Sequence, residues 1–347
     1  MTIMNKEHED MRHLGLFGIY KHSYKIILSW RKIFTKITLS LILPLSFMFL
    51  IQTQVSNSLF SKILNHSQQI ISTPQDTPQF KKLSETVSSE WVTLMAFNLL
   101  YLALSITFSL LTTSAISYTI SLFYSSINDD DEVVHLKKVM SIVPKVWARL
   151  MTTFLCVFAA VFIYNFAAVL VFIILALILN AYAGTQNYAV LGVASAFSII
   201  LVITYAVGLF YLSLIWQLSN SVTVLEDSYG FEAMKKSKKL IKGKMGLSLL
   251  FFFTIIVSYG LIHFLFKMVF VEGCDMKSVV TIAYGILLLL LLSHQILLAQ
   301  VSHTVLYFVC KSYHKQNIDK SSDLSSSYLE YQPLKNKDVE VEKYNHV

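Results

Sequence analysis

Long apolar runs alternate with short polar segments along the 347-residue chain. Six runs approach or exceed the roughly 20 residues that carry an α-helix across a hydrocarbon core about 30 Å thick. They cover 37–54, 91–116, 150–179, 189–219, 247–270 and 279–309. The first is the shortest, holds Pro44 and ends at Gln52 and Gln54. Several of the others are longer than a bilayer needs, so they tilt or project beyond it. The pattern predicts an all-α, polytopic integral membrane bundle of about six transmembrane helices. It divides the chain into an N-terminal segment (1–36), a membrane domain (37–310) and a polar tail (311–347) rich in Ser, Lys and acidic residues and expected to be disordered.

The polar segments carry a pattern of their own. In 16–36, Lys21, Lys25, Lys32 and Lys36 share one helical stripe, and Leu16, Ile19, Tyr20, Ile27, Trp30 and Phe34 lie opposite. That arrangement predicts an interfacial helix with its apolar side in the acyl boundary and its lysines at the headgroups. A second helix is expected over 132–143, after Asn128-Asp129-Asp130-Asp131 and ended by Pro144. A third is expected over 229–242, with Glu226 and Asp227 before it, lysines in its last turns and Gly243 as its stop. Each precedes a pair of spans. The chain therefore reads either as a triplicated unit or as the arrangement that any six-span protein with both ends in the cytosol must have. Residues 55–90 are expected to form a polar loop containing Pro74, Pro78 and the sequon Asn65-His66-Ser67.

Composition sharpens this picture. Only 14% of residues are charged, against about 25% in a soluble domain. The basic residues of the net +7 flank apolar runs, where anionic lipid headgroups are the expected partner and nucleic acid is not. Twenty-three of the 28 Lys and Arg residues fall in the N-terminal segment, the 2–3 and 4–5 connections and the tail; Lys62, Lys81, Lys82, Lys267 and Lys277 lie on the other side. This bias predicts that both termini are cytosolic and Asn65 is not. The first span follows about 35 polar and amphipathic residues and reads as a retained signal anchor rather than a cleaved leader.

Candidate chemistry is sparse. No acidic or basic residue falls near the middle of a span, where one would mark an ion or proton path. The polar intramembrane residues are Asn98, Asn165, Gln217, His294, Gln295, Gln300 and His303. Hydrogen bonding between helices is their plainest role. Asn165, Gln217, His294 and His303 form the candidate cluster for a solute site if they converge. His294 and His303 stand nine residues apart with no acidic partner, so neither a metal nor another cofactor is expected. Cys156 falls inside a span and Cys310 ends one beside Lys311. That is a place for reversible palmitoylation, although an unmodified thiol is the plainer reading. The tail holds Tyr331-Gln332-Pro333-Leu334, the form of a sorting signal read by clathrin adaptors, with Tyr331 and Leu334 as its anchors. With no phosphate loop, nucleophile elbow or acidic pair, enzyme activity is the least supported class.

The run Glu226 to Lys244 reads acidic, Gly, Ala-apolar, basic, Ser, Leu, Gly-basic, then a new span. It resembles the six-span membrane domain attached to some glycerophosphodiester phosphodiesterases. With Trp30-Arg31-Lys32-Ile33-Phe34 leading into Leu41-Ile42-Leu43-Pro44-Leu45-Ser46, the chain over about 15–310 looks closest to a group of plant six-span transmembrane proteins of unknown activity. The resemblance implies a membrane module in a secretory or plasma membrane and carries over no catalytic residue. Two functions are expected from the sequence: a non-enzymatic membrane organiser or trafficking component, or a transporter or channel for a neutral or lipid-like solute.

Overall fold

The computed structural model describes residues 14–74, 77–125, 132–182, 188–226, 228–270 and 278–314. Every regular element among them is helical. Helix α1 spans Leu16–Ser29 and α2 spans Arg31–Ile37. A π-helical turn over Thr38–Ile42 joins α2 to α3, Leu43–Ser72. The long helices α4 (Pro78–Ser125), α5 (Glu132–Tyr182) and α6 (Tyr188–Leu225) follow. A short helix, α7 (Phe231–Ile241), precedes α8 (Met245–Phe270) and α9 (Ser278–Tyr313). Six helices are long and apolar enough to cross a membrane. They coincide with the six runs read from the sequence.

The first span shows how the chain accommodates Pro44. A proline ring clashes with the carbonyl four residues earlier and offers no N–H. Here the turn before it is widened, and Leu43 N–H reaches back five residues to Thr38 O. The helix thus passes the proline without breaking, as π-turns allow.

Three expectations are corrected. Residues 55–90 are not an open loop: α3 continues to Ser72, α4 starts at Pro78, and the two helices pair beyond the apolar runs. Ile63 is buried between them, and Phe60 stacks edge-on with Trp91 at a ring spacing of 6.4 Å. Polar composition masked a helical period. Pro144 does not end the helix over 132–143, because α5 runs through it. Helix α1 does not bed its apolar side in lipid. Ile19 and Ile26 are fully buried in the protein core, while Lys21 and Lys25 are exposed. Ser302 of α9 donates to Ser23 of α1 at 3.0 Å, and Tyr20 packs on Phe251 of α8. The lysine spacing was the same whichever surface covered the opposite face.

Packing is concentrated at the end of the bundle that carries α1, α7 and the last turns of α9. There the buried residues include Leu110, Ile116 and Ile120 of α4, Leu218 and Val222 of α6, and Val301, Val305, Tyr307 and Val309 of α9. Small hydroxyl side chains let these helices approach closely, as in other membrane bundles. Ser117 and Thr304 bond across α4 and α9 at 3.1 Å, and Thr153 and Thr223 across α5 and α6 at 2.9 Å. At the opposite end α5 and α6 splay away. Phe162, Phe166, Ile174 and Leu177 of α5, with Phe197 and Ile200 of α6, stand exposed. A soluble monomer does not carry so extensive an apolar surface, whereas hydrocarbon solvates it.

Candidate functional site

Two features stand out where the helices meet. The first is an ionic cluster at the packed end. Helix α6 stops at Leu225, and Glu226 turns inward, only 8% exposed. Tyr307 of α9 donates its hydroxyl to Glu226 Oε1, and the nearly buried Lys311, one turn further along α9, reaches the same oxygen at 3.1 Å. Lys236 of α7 forms an ion pair with the other carboxylate oxygen. The backbone of this corner is held as well. Arg149 Nη2 donates to Glu226 O at 3.0 Å, and Gly230 N–H donates to Thr153 Oγ1 at 2.9 Å. Gly230 has φ 64°, the left-handed region that favours glycine, which lets the chain reverse directly into α7. Burial pushes the Glu226 carboxyl up, but the bonds from Lys236 and Tyr307 and the charge of Lys311 outweigh it, leaving the group below its usual range.

The second feature is a cavity of about 620 Å³ among the spans. All six contribute: Leu45 and Phe49 from α3, Leu102 to Leu110 from α4, Phe154 and Phe158 from α5, Trp216 and Asn220 from α6, Tyr259 from α8, and Leu292 to Gln300 from α9. The lining extends from Leu102 to Leu110 on α4 and from Leu292 to Gln300 on α9, about 12 Å at 1.5 Å per residue step. It is overwhelmingly apolar and contains no charged side chain. Asn220 lines it as well, but its Oδ1 is buried away from the open space and has no hydrogen-bond partner among the described residues. Gln300 Oε1, on the same wall, accepts from Thr113 at 3.4 Å. Volume and lining match those of sites for small organic molecules.

The candidate cluster from the sequence does not assemble in one place. Tyr205 donates to Asn165 Oδ1 at 2.7 Å, joining α5 to α6 on the splayed side. His294 meets the hydroxyl of Tyr24 at 2.8 Å on the exposed side of α1. Gln217 and His303 share only a gap of about 10 Å³, too small for a solute. His303 stacks edge-on with Phe251 at 5.0 Å. Asn98 likewise bonds Gln52, and Gln295 bonds Ser258, so the intramembrane amides mostly tie helices together. Among the described residues no three His, Cys, Asp or Glu side chains gather as a metal site would need.

The remaining candidates divide by exposure. Lys32 and Lys36 are exposed, as are Lys235, Lys238 and Lys239 along α7, but Lys236 is engaged with Glu226 rather than directed only to solvent. Asn65 is exposed on the helical hairpin. Cys310 is fully buried, which removes it as an acylation site, and Cys156 is a free, half-buried thiol. Tyr331 and Leu334 lie outside the described residues.

Sequence reasoning overlooked Glu226, Tyr307, Lys311 and Asn220 as a group. One signal was available: the second span of each pair carries a Ser-x-Thr, at Ser117-Tyr118-Thr119, Ser221-Val222-Thr223 and Ser302-His303-Thr304. All six hydroxyl residues are buried in the packed end, and Asn220 directly precedes the second of these motifs.

The fold and site define a multi-pass, all-α membrane protein whose spans converge at one end and line an uncharged cavity. The chain belongs to the family described as Domain of unknown function (DUF8558), whose model matches residues 4–344. No curated protein and no solved structure matches it.

Proposed function

We propose that this protein is a non-enzymatic, six-span membrane protein that accommodates a neutral, lipid-like molecule among its spans, as a carrier or as a lipid-responsive component. The observation that carries this reading is the cavity of about 620 Å³, to which every span contributes and which holds no charge. An ion or charged metabolite would be stripped of water there with no counter-charge. A lipid-like molecule would exchange desolvated apolar surface for apolar surface and meet a few polar groups.

The test is exchange of fluorescent neutral-lipid analogues between the leaflets of reconstituted vesicles, together with identification of lipids that copurify in mild detergent. Filling the cavity with Leu102→Trp and Ser109→Phe should abolish both effects. Equal exchange by the filled variant and the native protein would sink the proposal.

A second reading, a membrane organiser or trafficking component, is supported by the exposed lysines of α1 and α7 at one end of the molecule. We place that end in the cytosol on the 23-to-5 distribution of Lys and Arg. In this reading the protein resides in a secretory-pathway or plasma membrane, like the plant six-span proteins it resembles, and Tyr331 and Leu334 engage a clathrin adaptor. Tyr331→Ala should then shift a tagged protein to the cell surface. An unchanged distribution would remove the adaptor from the account.

A further inference from the structure

Ser109 Oγ, the Tyr259 hydroxyl and Gln300 Nε2 belong to the cavity wall and have no hydrogen-bond partner among the described residues. Gln300 Oε1 is taken by Thr113, which leaves only the Nε2 end of that amide to be satisfied. Unlike Asn220 Oδ1, these three atoms are not closed off from the open space. The register of the helices gathers them. Thr113 bonds Gln300 and Ser117 bonds Thr304, so α4 runs parallel to α9 and Ser109 lies level with Ile296, one turn from Gln300. Helix α8 runs antiparallel to α9, and its Ser258 bonds Gln295, so Tyr259 enters near the same height. Helical side chains lean toward the N-terminus of their own helix. Tyr259 therefore leans toward the packed end and Gln300 away from it, onto the same part of the cavity.

Each of these groups can donate: an amide N–H, a phenolic O–H and an aliphatic O–H. A pure hydrocarbon in the cavity would leave all of them unpaired and away from water, which is costly. A carbonyl oxygen, with two lone pairs and no proton of its own, can accept from two of them. Toward the splayed end the walls are Leu102, Phe158 and Leu292, suited to an alkyl chain. We infer that the cavity binds a neutral lipid by a carbonyl oxygen, that of an ester or a ketone, which accepts from Tyr259 and Gln300 beside Ser109 while the hydrocarbon points to the splayed end. This deepens the proposed lipid-binding function and rests on it. It adds a chemical preference that an apolar cavity alone does not have, because a site built to hydrogen-bond a ligand group discriminates against the analogue that lacks it.

The experiment uses the full-length protein in vesicles of dialkyl-ether phosphatidylcholine, a lipid with no carbonyl of its own. A fatty-acid methyl ester labelled with carbon-13 at its carbonyl is titrated in and followed by infrared spectroscopy, since hydrogen bonding lowers the carbonyl stretching frequency. A lowered band in excess of that from protein-free vesicles should saturate at a single ester per protein. Tyr259→Phe combined with Gln300→Met should abolish it. Trp216, also in the lining, reports occupancy once Trp30, Trp91 and Trp147 are changed to Phe. A dibrominated ester or the matching ketone should quench it saturably at about tenfold lower mole fraction than the matching alkane. The better of the two names the carbonyl.

Saturable quenching by alkane and carbonyl probes alike, with no lowered band, would overturn the carbonyl assignment while leaving a lipid-filled cavity. So would a dibrominated alcohol that quenches at lower mole fraction than both carbonyl probes. Quenching that follows only partitioning into the bilayer, matched by a protein whose sole tryptophan is Trp91, would overturn the lipid-binding reading itself. Measurements with Tyr259 and Gln300 unmutated decide these points even if the double variant does not fold.

Discussion

The hydroxyl of Tyr307 and the carboxylate of Glu226, 81 residues apart in sequence, are joined by a 2.5 Å hydrogen bond inside the packed end. Lys311 completes a buried ion pair on the same oxygen. Removing one member of a buried pair strands the other charge at a cost of about 3–5 kcal/mol, whereas replacing both with apolar residues is often neutral. Glu226→Leu should therefore lower the thermal midpoint of the detergent-solubilised protein sharply. Glu226→Leu combined with Lys311→Met should recover most of the loss. A double variant no more stable than the single one would show that the pair does not act as a unit.

The same carboxylate sets an acid limit. Its folded-state pKa lies below the ordinary glutamate value of about 4.5. The stability it contributes is thus present above that value and is lost as pH falls from it through the lower folded value. Thermal midpoints taken from pH 7 down to 3.5 should fall below pH 4.5 in the native protein. Glu226→Gln should start lower and show a shallower fall over that window. Parallel curves would assign the acid sensitivity to other groups.

Gly243 closes α7 with φ 112°, and a Cβ there would stand 2.4 Å from the ring of Tyr313. Gly243→Ala should destabilise by about 1–3 kcal/mol through backbone strain alone. Adding Tyr313→Ala removes the collision but not the strain, so the double variant should remain less stable than Tyr313→Ala by about that amount. Chemical denaturation in mixed micelles measures both. Full recovery in the double variant would mean that the collision, not φ, is the constraint.

The small hydroxyl residues are needed for their size more than for their bonds. Single interhelical hydrogen bonds in membranes average about 0.6 kcal/mol. Ser302→Ala should cost no more than that, although it deletes the donor to Ser23. Ser302→Leu, which forces bulk between α1 and α9, should cost about 1–3 kcal/mol. Resistance to heat-induced aggregation in detergent ranks the three proteins. A larger loss from Ala than from Leu would reverse the argument.

Topology makes a further prediction. On the proposed orientation, with both termini in the cytosol, protease added to cytosol-out vesicles should remove the tail and spare the α3–α4 hairpin. An endoglycosidase after permeabilisation should report any glycan on Asn65. Reversing Lys235, Lys238 and Lys239 to Glu should weaken the attachment of α7 to an anionic membrane surface by about 1 kcal/mol per lysine near the surface. A protected tail would place the termini on the other side.

The spans were legible because an apolar run of membrane length has few other readings, and Gly243 was legible as a helix stop. What escaped had local reasons. Residues 55–72 carry Ile63 and Phe60 at helical spacing, but their polar neighbours suggested a loop. A lysine stripe on α1 does not reveal whether Ile19 and Ile26 face lipid or α9. Glu226 and Lys311 are distant in sequence, and each looked like an ordinary flanking charge. Asn165, Gln217, His294 and His303 were grouped by polarity alone, and polarity does not say where a side chain points. The cavity belongs to the way the helices diverge and has no motif.

The π-turn over Thr38–Ile42 can be read as one extra residue inside the first span, since a helix that closes on the fifth residue rather than the fourth has absorbed an insertion. Everything after it is rotated by one residue's step relative to an unbroken α-helix. That rotation sets the azimuth at which Ser46 meets Ser293 of α9 at 3.0 Å and at which Leu45 and Phe49 meet the cavity. Loss of a single residue here would therefore barely shorten the span. It would turn the wall of the cavity by about 100° and carry those side chains elsewhere.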